Sequence, residues 1–400
     1  MATIPAMPAP AVSVSPGPAP ARDPAGGRLM SLDAYRGFIV FILASAGFGT
    51  VQLARTFPDS AWAVAGRQFV HTAWEWGVFW DLIMPSFMFM VGVAMPLSFA
   101  RRQREGDPWS RQLGHAFVRA GVLIVLGMVL MGQHARFLNV LTQIGLGYVF
   151  VFLLLNRPFR TQLAVTAAIL AGYWLLFALY PLPGPEAAAR YGLKPGELLE
   201  GFRGHWSKHA NIAGDFDRWL LNLFPQDKPF VTYVGGVQTL NFIPSMANMI
   251  LGVMSGQVLM SARPGSAKLR WLLVAGGICL ALGVGLGLTV NPVVKKIWTP
   301  SFALYSGGWT LWMLAAFYWI IDLRGWRAWA FPLVVFGMNS LAVYIMTLLW
   351  PAWIVKVLKT QFGSQLFTGT YGPVWEKLSV LGLMWLFCWW LYRRKLFFRI

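Results

Sequence analysis

Runs of 18 or more mostly apolar residues recur along nearly the whole chain, and short polar segments separate them. At about 1.5 Å of rise per residue, a helical run of that length crosses the roughly 30 Å hydrocarbon layer of a bilayer. The runs lack the period-two alternation over about 10 residues that marks the strands of a membrane barrel. The pattern predicts an all-α polytopic membrane protein, a single bundle of about ten transmembrane helices. The spans fall near residues 37–55, 77–99, 114–132, 138–156, 162–180, 237–260, 271–290, 302–321, 330–349 and 377–392.

The polar segments alternate in character. One set is short and basic: "RRQREGDPWSR" from Arg101, "RPFR" from Arg157, "SARPGSAKLR" from Ser261, "DLRGWR" from Asp322 and the tail "RRKLFFRI". The other set holds the long segment 181–236 and the stretch 350–376. Short loops rich in Lys and Arg stay in the cytoplasm. That rule puts both termini inside and makes 181–236 a periplasmic loop. Residues 1–27 are rich in Ala and Pro and have too little apolar bulk to fold, so they read as a disordered tail ahead of a membrane domain at 28–400.

Composition agrees with this picture and narrows the partners. The chain is 57% hydrophobic and only 12% charged, against about 25% charged in soluble domains. Its net charge of +18 is spread over the inter-helix loops and forms no stripe, so it sets orientation and does not point to nucleic acid. Membrane lipid is the expected surrounding, and a bacterial inner membrane the expected location. A homo-oligomer is left open. Cys279 and Cys388 lie in apolar runs, which implies no disulfide framework. Gly283 and Gly287 have the GxxxG spacing that lets helices approach closely.

The polar residues inside apolar runs carry the chemistry. A charge in hydrocarbon costs at least about 2.5–3.5 kcal/mol, so Asp81 should face a bundle interior or a watery cavity. Pro85, four residues on, cannot donate to the Asp81 carbonyl, which predicts a broken turn there. His71 stands at the outer mouth of the same run, and histidine is the usual general base near neutral pH. On one helix the two side chains would be about 15 Å apart, so a direct pair requires His71 to lie in a loop that folds back. The outer stretch 201–218 adds His205, Trp206, His209, Asn211, Asp217 and Arg218, a mixture suited to a sugar-like acceptor. No third ligand follows the histidine pair at a metal spacing, so no metal is expected. On the inner side Arg111, His115 and Arg119 share part of a helix face and suit phosphate. Gln143, Gln238, Asn241, Asn248 and Asn339 read as interhelical glue. These residues support an enzyme with a base at the outer mouth. They equally allow a transporter or permease with Asp81 as its substrate or coupling site.

Several segments resemble one known family, heparan-α-glucosaminide N-acetyltransferase and its bacterial relatives. "RLMSLDAYRGF" (28–38) is similar to the family's start, and "HTAWEWGVFWDLIMPSFMFMVGVAMPLS" (71–98) to its second-helix signature. "NVLTQIGLGY", "NFIPSMANMILGVMSG", "KKIWTPSFALYSGGW" and "FGMNSLAVY" continue the resemblance in order to about residue 350. The resemblance implies a membrane acyltransferase that moves an acetyl group from cytoplasmic acetyl-CoA to an amino sugar or other glycan across the membrane. It matches the family's catalytic histidine to His71. Where the family has an Asn late in the first helix, Gly47 stands here. O-acylation of surface sugars is a neighbouring possibility within the same resemblance.

Overall fold

The computed structural model describes residues 29–131, 137–225, 227–232 and 237–398. The Ala/Pro-rich segment 1–27 lies outside the described residues. Among those described there are helices and loops and no strand. In chain order the helices are α1 Met30–Ala44, α2 Thr50–Thr56, α3 Ala61–Arg67, α4 Ile83–Arg104, α5 Trp109–Leu130, α6 Val140–Phe152, α7 Phe159–Ala178, α8 Ala187–Tyr191 and α9 Ile212–Leu221. They continue with α10 Phe242–Met260, α11 Gly265–Thr289, α12 Pro300–Phe317, α13 Phe331–Met338, α14 Ser340–Leu349, α15 Pro351–Phe362 and α16 Gly372–Arg393.

Six of these helices are long and apolar enough to cross a membrane, and eight spans result if each of two bent pairs counts as one. The chain is therefore a multi-pass membrane protein by length and composition. Two spans are central: 83% of the apolar stretch ending α10 and 67% of that of α4 is buried, against 22% for α5. The outer helices turn rows of Val and Leu outward, as lipid-facing surfaces do.

Small residues set the central contact. Gly92 of α4 and Gly252 of α10 lie so close that a Cβ on either would strike backbone of the facing helix, Met249 O in the first case and Phe89 O in the second. Gly283 of the GxxxG pair sits against the backbone of α12 at Tyr305, so that spacing does serve close packing. The polar residues read as glue make specific bonds. Asn248 donates to Ala303 O at 3.0 Å and accepts from Trp298 Nε1 at 3.0 Å. Asn241 donates to Lys296 O at 3.0 Å, and Gln143 to the carbonyls of Phe137, Gln238 and Thr239. Both cysteines are free and buried.

The first span is bent by 42° between α1 and the next helical piece. Four successive residues have positive φ there: Ala46 at 46°, Gly47 at 70°, Phe48 at 54° and Gly49 at 75°. Each non-glycine in that region costs about 1–3 kcal/mol. The turn swings α2 and α3 into a short helical hairpin beside the His71 loop. It also accounts for Gly47, because a Cβ there would sit 2.8 Å from the Phe69 side chain.

Candidate active site

His71 lies on a loop, residues 68–78, between α3 and the start of the second span. Gln68 closes the loop, accepting from Trp80 N–H at 2.9 Å and from Phe79 N–H at 3.2 Å. The Trp76 N–H donates to Val293 O at 2.6 Å, and Trp74 Nε1 to Trp206 O at 2.9 Å. Folded back in this way, the loop brings His71 Nδ1 to 2.6 Å from Asp81 Oδ1. The two residues are ten apart in sequence, and a continuous helix would have kept them apart.

Asp81 is 1% exposed. It sits in a short 3₁₀ turn, Phe79–Leu82, that opens the span, and its Oδ2 accepts the Val78 N–H at 3.1 Å. The expected broken turn at Pro85 does not form. Pro85 falls in the first turn of α4, where a missing N–H leaves no hydrogen bond unmade. Asp81 is buried because it caps a helix start and accepts from two side chains, the His71 ring and an ammonium. The ammonium is that of Lys295, whose Nζ lies 3.2 Å from Asp81 Oδ1 and 3.2 Å from His71 Nδ1.

This geometry assigns the proton on His71. An ammonium is a donor only, so Lys295 donates to the carboxylate. A 2.6 Å approach of Nδ1 to the same oxygen requires Nδ1 to carry a hydrogen. Nε2 is then the free lone pair, and His71 is 43% exposed toward solvent. Burial pushes the Lys295 ammonium below its ordinary value, against the pull of Asp81. The segment that carries Lys295 is rigidly placed. Thr299 Oγ1 accepts from Val294 N–H, Tyr173 donates to Ile297 O, and Asn241 and Asn248 tie it to α10.

The exposed side of His71 faces a cleft of about 640 Å³ walled by α2 and α3. Of the outer-loop residues, none lines this cleft. Trp206 is fully buried and stacks parallel to Phe177, so it is a core residue and does not present a ring to an acceptor. Asn211 is also fully buried; it caps α9 by accepting from Gly214 N–H and donates to Ser207 O. His205 packs edge-on against Phe202 and Trp206. Trp206 and Ala213 thus anchor the loop 201–218 in a core shared with Tyr173, Phe177, Leu240 and Ile297, while Phe202 stays exposed. His209, Asp217 and Arg218 do line a polar niche, but at about 20 Å³ it holds no more than a water. The niche lies on the other side of the 68–78 loop, with Trp74 and Lys296 in its wall.

Two groups in the niche titrate abnormally. His209 is pushed down to about 4, first by burial and then by Lys208 and Lys296. Asp217 is raised to about 6 by burial, opposed by its hydrogen bonds from Thr239 and by Arg218. The folded state thus holds the Asp217 proton to higher pH than the unfolded chain. That contribution to stability is full below about pH 4 and is lost as pH rises through about 6. Asp217→Asn, which keeps an oxygen for the Thr239 N–H, should raise the melting midpoint in detergent by about 2–4 °C at pH 7.5 and leave it unchanged near pH 3.5. His209 contributes with the opposite sign, but it is present in both proteins and cancels in the difference. A midpoint that does not rise at pH 7.5 contradicts a strained Asp217.

At the other end of α4 the inner residues are only partly gathered. His115 and Arg119 line a pocket of about 110 Å³ together with Arg102, Gln112 and Tyr148. Arg119 lies over the Tyr148 ring at 5.1 Å, and its Nε and the Gln112 Oε1 are buried polar atoms with no partner among the described residues. Arg111 is not part of this pocket. It lies about 80° round the helix from Arg119, is exposed, and pairs with the partly buried Asp107 at 3.3 Å. Among the described residues no group of three or more His, Cys, Asp or Glu could hold a metal ion.

The family described as "Heparan-alpha-glucosaminide N-acetyltransferase, catalytic" matches residues 28–197, a stretch that contains both His71 and Asp81. The curated heparan-alpha-glucosaminide N-acetyltransferase of Homo sapiens is 26% identical over 369 residues, 80% of this chain and 52% of that protein. The Mus musculus protein of the same name is 24% identical over 366 residues, 80% of this chain and 53% of its own length. The chain is similar to the heparan-α-glucosaminide N-acetyltransferases. It spans about half the length of the two curated N-acetyltransferases. The family match ends at residue 197, so Lys295 and the 201–218 loop lie beyond it. Lys295 is the site residue that sequence reasoning missed. It opens the "KKIWTP" segment that carries part of the N-acetyltransferase resemblance, but two adjacent lysines at a helix start read as boundary charges.

Proposed function

We propose that the chain is a transmembrane acyltransferase that takes an acetyl group from cytoplasmic acyl-CoA and delivers it to an amino sugar or other glycan on the outer side. The observation that carries this reading is the His71–Asp81–Lys295 cluster at a solvent-facing cleft. The acceptor amine or hydroxyl attacks the carbonyl carbon of the acetyl thioester while His71 Nε2 takes its proton. A C–N or C–O bond forms, the C–S bond breaks, and the sulfur leaves and ends as the thiol. An acetyl group carried on Nε2 itself and then displaced by the acceptor satisfies the same balance. Asp81 holds the ring in the tautomer with Nε2 free, and Lys295 holds Asp81.

His115, Arg119 and Arg102 would take the donor's phosphates, and the partnerless Arg119 Nε and Gln112 Oε1 fit a polar ligand there. That pocket is about 20–30 Å of helix rise from Asp81. The flexible pantetheine arm is the part of the donor that would cross this distance along α4. A permease using Asp81 as a coupling site is not favoured: both carboxylate oxygens are already engaged. The test is incubation of the purified protein with labelled acetyl-CoA and a panel of amino sugars. Acetyl transfer that vanishes in His71→Ala supports the reading; no labelled product with any acceptor opposes it.

We extend the same reading to a topology in a bacterial inner membrane. Eight spans, with each bent pair as one, become ten if the shorter α6 and α12 also cross, and the basic loops would then put both termini in the cytoplasm. In a protein lacking Cys279 and Cys388, cysteines placed at the exposed Glu200 and Ser110 should react with an impermeant reagent from opposite sides. Reaction from one side alone contradicts the ten-span arrangement.

A further inference from the structure

The cleft beside His71 has an unusual lining for a sugar site. Its floor is Val51, Ala54, Ala63, Gly66 and Val78, and its polar groups are few: Arg55, Arg67, Thr72 and His71. A site for a free sugar would be expected to hold a set of converging hydrogen-bond groups. Here an apolar trough runs up to the base. Arg55 and Arg67 end α2 and α3, both are exposed, and neither forms an ion pair among the described residues. One carboxylate, the exposed Asp59, stands in the turn between the two helices.

The hairpin that walls the trough also shows apolar side chains to solvent. Phe57, Trp62 and Val64 are 38%, 39% and 64% exposed. A short hairpin with exposed aromatic and aliphatic residues and cationic ends has the chemistry of a segment lying in the headgroup layer. With the hairpin in that layer, the trough would be reached from lipid, and Arg55 and Arg67 line it together with His71. Guanidinium is the side chain best matched to a phosphate.

We propose that the acceptor is a sugar carried on a lipid through a phosphate ester, with the lipid chain along the apolar trough, the phosphate at Arg55 and Arg67, and the sugar at His71. This rests on the acyltransferase reading and specifies its acceptor class. The Gly66 backbone helps keep the trough open: a Cβ there would meet Ala54 and the Thr50 carbonyl, so α2 and α3 stay tightly paired as one wall.

The test uses the full chain in lipid nanodiscs with labelled acetyl-CoA and three acceptors. One is free glucosamine. One is glucosamine joined through a phosphodiester to a short isoprenyl chain. One is glucosamine joined by a plain ether linkage to a chain of the same length. The expected kcat/KM rises at least about tenfold from the free sugar to the ether, and about tenfold again to the phosphodiester. In R55Q/R67Q the preference of phosphodiester over ether falls toward one, and in R55K/R67K it survives. Equal values for all three acceptors, or a preference indifferent to the arginines, overturn the proposal. A second measurement needs no chemistry: displacement of a fluorescent isoprenyl phosphate from the protein in detergent. If no acceptor is acetylated, the acyltransferase reading fails. Displacement that depends on Arg55 and Arg67 then still supports the lipid-phosphate site. No displacement, or equal displacement by any bulk phospholipid, removes it.

Discussion

His71→Ala is expected to lower kcat for acetyl transfer by at least about 10²-fold, the usual cost of removing a general base. The fold should survive the change. His71 is 43% exposed, and without it Asp81 keeps Lys295 and the Val78 N–H as partners. No buried charge is stranded, so the variant should remain monodisperse in detergent and melt near the parent. His205→Ala and His209→Ala are the controls. Neither side chain lines the cleft, so both should leave kcat within a few-fold of the parent. If His209→Ala abolishes transfer while His71→Ala retains it, the chemistry belongs to the niche beyond the 68–78 loop.

Asp81→Asn is expected to act on both rate and stability. An amide in place of the carboxylate no longer fixes Nδ1 as the protonated nitrogen, and kcat should drop by about 10²-fold or more. The substitution also leaves the Lys295 ammonium, 12% exposed, against a neutral group. Removing one partner of a buried pair costs about 3–5 kcal/mol. Lys295 is what makes this loss of charge costly to the fold. Adding Lys295→Met should recover much of the melting temperature and none of the rate. That split is the informative result, because a purely structural Asp81 would recover both together. Lys295→Met alone should keep more activity. It leaves Asp81 in contact with His71 Nδ1, so the ring keeps its tautomer. A Lys295→Met protein as slow as Asp81→Asn would give Lys295 a larger part than holding Asp81.

The sequence was informative where one residue conflicted with its surroundings. Asp81 in an apolar run pointed to the site before any contact was known. The long periodic runs revealed the helices, and Asn248 and Gln143 revealed where helices are tied together. What stayed hidden required tertiary geometry. Lys295 is 214 residues from Asp81, and local pattern gives no sign that the two touch. Trp206 and Asn211 looked like ligand contacts because aromatic and amide groups suit sugars, but the same groups serve equally as a core ring and a helix cap. The bend at 46–49 rests on four backbone angles that composition does not announce. Pro85 looked like a breaker because its place within the helix was one turn earlier than the apolar run implied.

The glycine contact between α4 and α10 bears on how the protein moves. Backbones that meet at Gly92 and Gly252 have no side-chain layer to act as a bearing, so neither helix can slide or roll past the other without collision. Asp81 opens the span that α4 continues, and the Lys295 segment is bolted to α10 through Asn241 and Asn248. The cluster and its two supporting helices therefore form the stator of the machine. Any opening toward one face or the other falls to the helices around it, and a cross-link between α4 and α10 should leave turnover intact where one between α2 and its neighbours would stall it.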